Sequence, residues 1–279
     1  MNIGGQALIE GVLMRSAQHV GVAVRTPQGK IKTKVYKRMH PALKYQYLFV
    51  IRGFLALWDM LVIGTKELLW SGEVASGEKM SKQESGFSLI ISIVFALGLF
   101  VALPFYASKW ITSEYWLFHV LEGVIRIVIF LAYLLLIRQL KDVQVMFQYH
   151  GAEHASIACW EAKKSLTPKN VRQFSTIHPR CGTAFIGIVF VLAIIIFSLI
   201  SSDSWLVRFA SRIVLVPIIA GIAYEILKIN AKYKIPILNW LTLPGLWLQK
   251  ITTMVPNDKQ REVAIASLQL VLAKEKSSK

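Results

Sequence analysis

The sequence predicts a mostly α-helical polytopic membrane protein with about four transmembrane helices, an additional interfacial or re-entrant amphipathic helix and a small N-terminal cytoplasmic β-unit. The 279 residues are 54% hydrophobic, with a mean hydropathy of +0.50. Only 17% are charged, whereas about a quarter are charged in soluble domains. Because Lys and Arg outnumber Asp and Glu by 32 to 16, the water-facing parts must be strongly basic. This composition argues against a disordered chain and against a soluble two-domain enzyme.

The N-terminal segment, residues 1–42, is predicted to form a small β-hairpin unit. His19–Arg25 and Lys30–Arg38 alternate polar and apolar residues, and the turn sequence Thr-Pro-Gln-Gly separates them. This alternation on both sides of a glycine-containing turn is typical of paired strands. Glu10 and Gly11 fall in a candidate third strand.

The next segment, residues 43–86, contains an amphipathic stretch from Tyr45 to Trp70. It is apolar enough to touch lipid, but four charged side chains interrupt it: Arg52, Asp59, Lys66 and Glu67. A crossing here would carry the basic N-terminus to the outside. We therefore expect an interfacial or re-entrant helix. A helix packed on the cytoplasmic mouth of the bundle fits the sequence equally well.

Residues 87–229 are predicted to form a four-helix membrane domain, because a helix needs roughly 20 apolar residues to cross a bilayer. Lys and Arg are concentrated before the first run, between the second and third, and after the fourth. The positive-inside rule then places both termini and the central loop, residues 141–182, in the cytoplasm. The four runs are about Phe87–Ser108, Trp116–Leu140, Thr183–Ile200 and Trp205–Ile229.

The C-terminal segment, residues 230–279, is predicted to be cytoplasmic and to end in an amphipathic helix. Asn257 can cap this helix, with Gln260 three residues further on. Val263, Ala266, Leu270 and Leu272 supply an apolar face.

The central loop carries the strongest chemical signal, the H-x-x-E-H sequence from His150 to His154. This is the inverted form of a zinc-protease motif. Histidines four residues apart lie one helical turn above each other, so both can bind one ion. Glu153 is placed to act as a general base toward a metal-bound water. Residues 138–161 contain no proline, and we expect them to continue the second span as a helix.

A second cluster, His178 and Cys181, immediately precedes the third span, so the topology puts it at the same membrane face. Imidazole and thiolate are ligands that zinc favours. We therefore expect Zn²⁺ on His150, His154, His178 and Cys181, although the sequence does not fix the metal. Four protein ligands would make a closed structural site, and three would leave an open position for catalysis. A chance match, with histidines that only form hydrogen bonds, is the alternative.

Charged residues also fall inside the predicted spans, where they cost several kcal/mol unless they pair or line a wet cavity. Glu122, Arg126 and Arg212 are interpreted as a polar intramembrane pocket for an anion, a lipid headgroup or a polar stretch of substrate. A simple Glu122–Arg126 pair, with Arg208 extending to the surface, is the alternative. Glu225 and Glu10 are expected to support the metal ligands from a second layer.

Together these motifs resemble the YqhQ-like bacterial membrane proteins, which are described as predicted metal-dependent enzymes of unknown function. The resemblance implies a multi-pass protein of the bacterial inner membrane that depends on a metal, and it supplies no substrate. The chain departs from the family pattern at Met254-Val255-Pro256. The resemblance covers nearly the whole chain and rests on these segments: 4–7, 9–12, 149–154, 178–183, 220–221, 224–225, 244–249 and 258–266.

Two classes of function fit these features. The first is a metal-dependent hydrolase acting on a membrane peptide or a lipid-linked substrate. The second is a non-enzymatic membrane-protein biogenesis or scaffold factor, in which the metal is a structural clasp. Its basic face would engage anionic lipids and a translocon, an insertase or the ribosome. A transporter is less well supported, since inverted repeats are not evident. We find no nucleic-acid-binding motif, and the sequence does not indicate an oligomeric state.

Overall fold

The N-terminal β-unit is a four-stranded antiparallel sheet with its strands in chain order. Strands β3 and β4 pair across a turn in which Gly29 has a positive φ of 81°. This confirms the predicted hairpin. The candidate third strand is β2, which contains Gly11, whereas Glu10 lies in the turn before it with a φ of 49°. The strands are β1 (Gly4–Leu8), β2 (Gly11–Arg15), β3 (His19–Arg25) and β4 (Ile31–Lys37). The computed structural model describes residues 3–38, 47–48, 50–79, 81–179, 181–200, 202, 204–233 and 235–277.

Helices make up most of the remaining chain. A short π-helical segment, Gly98–Ala102, joins α2 to α3 and gives one continuous rod, Gln83–Ile111. The helices are α1 (Ile51–Ser76), α2 (Lys82–Leu97), α3 (Leu103–Ile111), α4 (Tyr115–Ile137), α5 (Lys141–Glu161), α6 (Pro168–Val171), α7 (Gly182–Ser198), α8 (Trp205–Val214), α9 (Val216–Tyr233), α10 (Pro236–Thr252) and α11 (Asp258–Ser277).

The sheet, α5 and α11 share one hydrophobic core, although they come from distant parts of the chain. Val12 and Ala23 of the sheet, Ala152 of α5, and Val263 and Leu268 of α11 are buried together. We refer to this unit, formed by β1–β4, α5 and α11, as the sheet body.

Helix α11 begins as predicted. The Asn257 side chain accepts a hydrogen bond from the Gln260 backbone N–H (2.9 Å), and the Gln260 side chain accepts one from the Asn257 N–H (2.8 Å). These two bonds satisfy backbone donors that would otherwise lack partners at a helix start. Helix α11 buries more residues than the single predicted apolar face, because it packs between the sheet and α5.

Helix α1 covers the other face of the sheet and reaches α9. Val74 packs with Leu13 and Val22, and the Ile9 N–H donates to Ser71 Oγ (3.1 Å). At its other end, Gly53 lies against the Gly221 carbonyl of α9. Helix α1 thus packs against both the sheet and α9, and its position at an interface or on the cytoplasmic mouth of the bundle stays a prediction. Residues 45, 46 and 49 of the predicted stretch lie outside the described residues.

Within the part of the chain that the structure describes, two helices are long and apolar enough to cross a membrane, the rod Gln83–Ile111 and α4. A third qualifies if α8 and α9, which meet at a 44° bend, count as one span. The apolar part of α7, Phe185–Ser198, is shorter. The structure therefore gives two to three candidate spans, and the expected count of about four stays a prediction.

The second span does not continue into the metal motif as one helix. Helix α4 ends at Ile137, and Leu140 adopts an extended backbone conformation (φ −75°, ψ 129°) before α5 begins at Lys141. That conformation interrupts the helical hydrogen bonds. The prediction of an unbroken helix through residues 138–161 was wrong, and α5 is free to follow its own direction onto the sheet.

Candidate functional site

Helix α5 holds the H-x-x-E-H motif in a fixed rotation. Tyr149 and Ala152 are buried in the core of the sheet body, which anchors one face of the helix. The histidines lie one turn apart, and the ring centroids of His150 and His154 are 4.4 Å from each other. Both rings face the segments around Thr176 and Thr252.

A backbone carbonyl orients each of these two imidazole rings. His150 Nδ1 lies 2.9 Å from the Thr252 carbonyl oxygen, and His154 Nδ1 lies 2.6 Å from the Thr176 carbonyl oxygen. Because a carbonyl can only accept, each Nδ1 must carry the proton and donate it. Each Nε2 is then left with a free lone pair, the arrangement that metal-binding histidines adopt.

Gly151 allows these segments to approach α5. A Cβ atom at this position would overlap the Met254 carbonyl oxygen and lie 3.0 Å from Thr176 Cγ2. The Met254 N–H also donates to the Phe147 carbonyl of α5 (3.0 Å). The glycine between the two histidines is therefore required for the contacts that orient their rings.

Cys181 joins the two histidines at the start of α7. Its Sγ lies 3.3 Å from His150 Nε2, and one ligand atom from each of His150, His154 and Cys181 lies within 4.8 Å of the others. Among the described residues, the buried His154 Nε2 has no hydrogen-bond partner. An unpaired buried nitrogen is costly, and a cation would satisfy it. Two imidazoles and a thiolate form a donor set that suits zinc. We call these three residues the His–His–Cys cluster.

His178 lies beside the cluster but outside the group of converging atoms. Its ring centroid is 5.9 Å from that of His154, and its Nε2 is 3.5 Å from Glu161 Oε2. Burial lowers the pKa of His178 to about 4, with His154 contributing, so the ring is neutral at physiological pH. Gln249 fixes the backbone here, because its amide accepts from the His178 N–H (2.8 Å) and donates to the His178 carbonyl (3.0 Å). Arg180, in the same motif, lies outside the described residues.

Glu153 is buried on the side of α5 that faces strand β1. A Cβ atom on Gly5 would lie 2.8 Å from the Glu153 carboxyl carbon. Burial raises the pKa of Glu153 to about 7, and His150, Arg15 and the Gly5 N–H each lower it. Glu153 therefore interacts electrostatically with the cluster through His150, and a carboxyl group with this pKa exchanges protons near neutral pH.

The two carboxylates expected to support the ligands lie in different places. Glu10 accepts a hydrogen bond from the Tyr149 hydroxyl (2.9 Å), one residue before His150. It therefore anchors the opposite face of the motif helix. Glu225 forms a two-point ion pair with Arg52, with 2.6 Å between Oε1 and the Arg52 Nε. This ion pair joins α9 to α1.

The three residues of the predicted intramembrane pocket do come together. Glu122 accepts from Arg126 (2.6 Å) and from two nitrogens of Arg212 (2.6 and 3.0 Å). Arg126 also donates to the Phe100 carbonyl in the π-helical segment (3.0 Å). The Arg212 guanidinium packs 4.8 Å from the Phe197 ring centroid. One carboxylate thus lies between two buried arginines: Arg212 joins α4 to α8, and Arg126 joins α4 to the π-helical segment.

Sequence reasoning missed the groups that orient the ligands. The Thr176 and Thr252 carbonyls leave no signal in the sequence, because every residue type supplies a carbonyl. Gln249 and Gly151 fall inside the segments that carry the family resemblance. The signal for Gln249 is an amide side chain in a buried position, and the signal for Gly151 is a glycine between two histidines.

Comparisons with known proteins place the chain in a family. A family model described as "Protein of unknown function (DUF1385)" matches residues 48–274. A relative from Bacillus subtilis (strain 168), described as uncharacterized protein YqhQ, is 31% identical over 292 aligned positions, which cover 96% of this chain and 92% of the relative. No solved structure matches the chain.

Proposed function

The chain belongs to the DUF1385 family, and we propose that it is a membrane protein whose His–His–Cys cluster holds a zinc ion for hydrolysis of a membrane peptide or a lipid-linked substrate. The observation that carries this proposal is the orientation of the two imidazoles. Both Nδ1 atoms are committed to carbonyls, His150 Nε2 lies 3.3 Å from Cys181 Sγ, and one ligand atom from each of the three residues lies within 4.8 Å of the others. Three protein ligands leave a position open, which is the pattern of catalytic zinc sites.

A zinc ion in such a site supplies Lewis acidity and lowers the pKa of a water that it binds. The chain's own residues supply the rest. The Thr176 and Thr252 carbonyls keep the rings aimed at one point. Glu153 is buried beside His150 and is the carboxyl group that we assign as general base. His178 is neutral and lies within reach of the same region, where it is suited to donate a hydrogen bond to the substrate.

We further propose four membrane spans with both termini in the cytoplasm of a bacterial cell, at the inner membrane. The packing of the sheet body supports this topology. The sheet, α5 and α11 are in contact, so the chain between each pair of them must return to the same side. The rod and α4 provide two crossings before α5. Helix α7 and the bent pair α8–α9 provide two crossings before α11. The basic segments of the sequence all fall on this one side.

A structural clasp in a membrane-protein biogenesis or scaffold factor is the second candidate. The observation that favours it is the closeness of His178 to His154. Movement of the His178 ring toward the cluster would add a fourth ligand and close the site. Zinc would then tie α5 to the start of α7, and Glu153 would only stabilise the ligands.

Metal analysis of the detergent-purified protein tests the cluster. We expect about one zinc ion per chain in the wild type. We expect its loss in His154→Ala and Cys181→Ser, and its retention in Glu153→Gln. Cys159→Ser is the matched control, because this buried cysteine packs with Val171, apart from the cluster. A wild-type protein without metal, or a Cys181→Ser variant that keeps it, contradicts the zinc site.

Cobalt substitution then separates an open site from a clasp. In an open site, acetohydroxamate is expected to bind the cobalt ion and change its visible absorption bands. Unchanged bands would favour the clasp. For hydrolysis itself, lipid and peptide profiles of membranes should show a substrate that accumulates in cells carrying Glu153→Gln. Identical profiles in wild-type and variant cells would contradict the enzyme.

A further inference from the structure

A cleft beside the His–His–Cys cluster has a volume of about 280 Å³. This is close to the lower limit for small-molecule sites, roughly 300 Å³. It shares a wall with the cluster, because Ala155 follows His154 and the Thr176 backbone orients the His154 ring. Arg172 and Arg261 line it as well. The apolar part of its surface comes from Val171, Phe174 and Val255.

The two arginines converge on a single carboxylate, that of Asp258. Arg261 Nη1 lies 2.7 Å from one Asp258 oxygen, and Arg172 Nη2 lies 2.6 Å from the other. The hydrogen bond from Arg261 is the largest cause of the lowered pKa of Asp258, and Arg172 contributes to it. Because two guanidinium groups face one carboxylate, these three side chains together carry an excess positive charge.

Arg261 is also incompletely satisfied. Its side chain is only 5% exposed, and its Nε has no hydrogen-bond partner among the residues that the structure describes. A buried guanidinium normally has partners for its donors. Asp258 is about half exposed, so its carboxylate can move into water and leave both guanidinium groups to a ligand.

We propose that this cleft binds a phosphate monoester group. Its two arginines match the charge of about −2 that such a group carries. A phosphate monoester offers three terminal oxygens, enough to accept from Arg172, from Arg261 Nη1 and from the unpaired Nε, whereas a carboxylate offers two. In this assignment Asp258 occupies the site in the absence of ligand. The apolar wall then contacts the organic part of the ester.

This inference deepens the proposed function by naming the substrate class. It rests on that function only where it treats the bound phosphate as part of the substrate; phosphate binding in the cleft does not itself require hydrolysis. Phosphate bound beside His154 would place the attached group over the cluster. The cleft-lining segment 171–176 ends six residues before α7 begins at Gly182, so a phosphorylated lipid headgroup and a soluble phosphate ester are both within reach.

Calorimetric titration of the full chain in phosphatidylcholine nanodiscs tests the cleft, with glycerol 3-phosphate as the probe. Arg172→Gln removes a charge-assisted hydrogen bond and is expected to weaken binding about tenfold. Asp258→Asn removes the competing carboxylate charge and is expected to tighten binding. Lys259→Gln is the matched control, because it makes the same charge change at an exposed neighbour that does not line the cleft. We expect it to stay within about twofold of the wild type.

Equal weakening by Arg172→Gln and Lys259→Gln would overturn the proposal, since general electrostatic attraction would then explain binding. Asp258→Asn binding no tighter than wild type would overturn it as well. Succinate binding as tightly as glycerol 3-phosphate would overturn the assignment to phosphate.

Two further arms separate the remaining questions. If the Cys181→Ser variant still binds glycerol 3-phosphate, the cleft is supported even if the cluster binds no metal. If this variant no longer binds glycerol 3-phosphate, a cleft that binds phosphate independently of the metal is overturned. In nanodiscs containing phosphatidic acid, a reduced response to glycerol 3-phosphate identifies the lipid headgroup as the ligand. An unchanged response identifies a soluble ester, and both results support the phosphate site.

Discussion

His150 Nδ1 lies 2.9 Å from the carbonyl oxygen of Thr252, a residue 102 positions further along the chain. The end of α10 therefore sets the tautomer of a histidine in α5. The same relationship explains why the two segments must be in close contact, and Gly151 is where that contact is tightest.

Gly151→Ala is expected to damage the cluster without touching a ligand atom. The added methyl group would overlap the Met254 carbonyl, so the segment that carries Thr252 must move away from α5. Overpacking of this kind costs about 1–3 kcal/mol. The temperature of thermal unfolding and the zinc content should both fall. Gly86→Ala is the control, because a Cβ there meets no atom within 4 Å. A Gly151→Ala protein with wild-type zinc content would show that the contact does not position His150.

Gln249→Met is expected to release the backbone that precedes Cys181. The buried His178 N–H would lose its bond to Gln249, and an unsatisfied buried group costs about 1–3 kcal/mol. The His178 carbonyl would lose the bond from Gln249 but keep the one from the Cys181 N–H (3.2 Å). We expect a lower melting temperature and faster alkylation of Cys181 by maleimide in metal-free protein. Gln269→Met, at an exposed position on α11, is the matched control. Equal alkylation rates in the two variants would contradict the role given to Gln249.

Replacement of Arg52 and replacement of Glu225 are expected to lower the free energy of unfolding by unequal amounts. Glu225 is only 1% exposed, whereas the Arg52 side chain is 25% exposed. Arg52→Met leaves the buried Glu225 carboxylate without this ion pair, which is strongly destabilising, about 3–5 kcal/mol. Glu225→Gln leaves an arginine that can reach water, so its cost should be smaller. Chemical unfolding of both variants and of the double variant Arg52→Met/Glu225→Gln measures the coupling. Equal losses in the two single variants would contradict this asymmetry.

The buried charge group of α4 and α8 gives a similar contrast. Glu122→Gln leaves Arg126 and Arg212 facing each other without a counter-charge, and we expect a loss of about 3 kcal/mol or more. Arg126→Met leaves the two-point Glu122–Arg212 pair intact, so the loss should be much smaller. Folded yield in detergent and melting temperature report the difference. If Arg126→Met proved as damaging as Glu122→Gln, the pairing with Arg212 would not be sufficient to hold the carboxylate.

Local patterns predicted those parts of the fold that depend on neighbouring residues. The hairpin of β3 and β4 follows from alternating residues around Gly29, and the start of α11 follows from Asn257 and Gln260. The histidine spacing also predicted that His150 and His154 face the same direction. Each of these features is decided within a few residues of the chain.

Features that depend on contacts between distant parts of the chain could not be predicted from local sequence patterns. No local pattern indicates that the Thr252 carbonyl meets His150, or that α11 completes the core of the sheet. The bend between α8 and α9 is an intermediate case. Pro217 lies inside the run that we predicted as one span, and its ring removes a backbone donor. The missing hydrogen bond permits the 44° bend two residues before the proline. Pro217 was therefore a sequence signal for a break in this span.

The core of the sheet body also imposes an order on biosynthesis. Strand β4 ends at Lys37, but α11, which covers one face of the sheet, begins only at Asp258. Translation proceeds at about 5–20 residues per second, so the newborn strands spend roughly ten to forty seconds without their cover. The hydrophobic helices leave the ribosome during that interval and can enter the bilayer first. The segment that orients His150 emerges almost last, so the His–His–Cys cluster is completed only after the hydrophobic helices have been made.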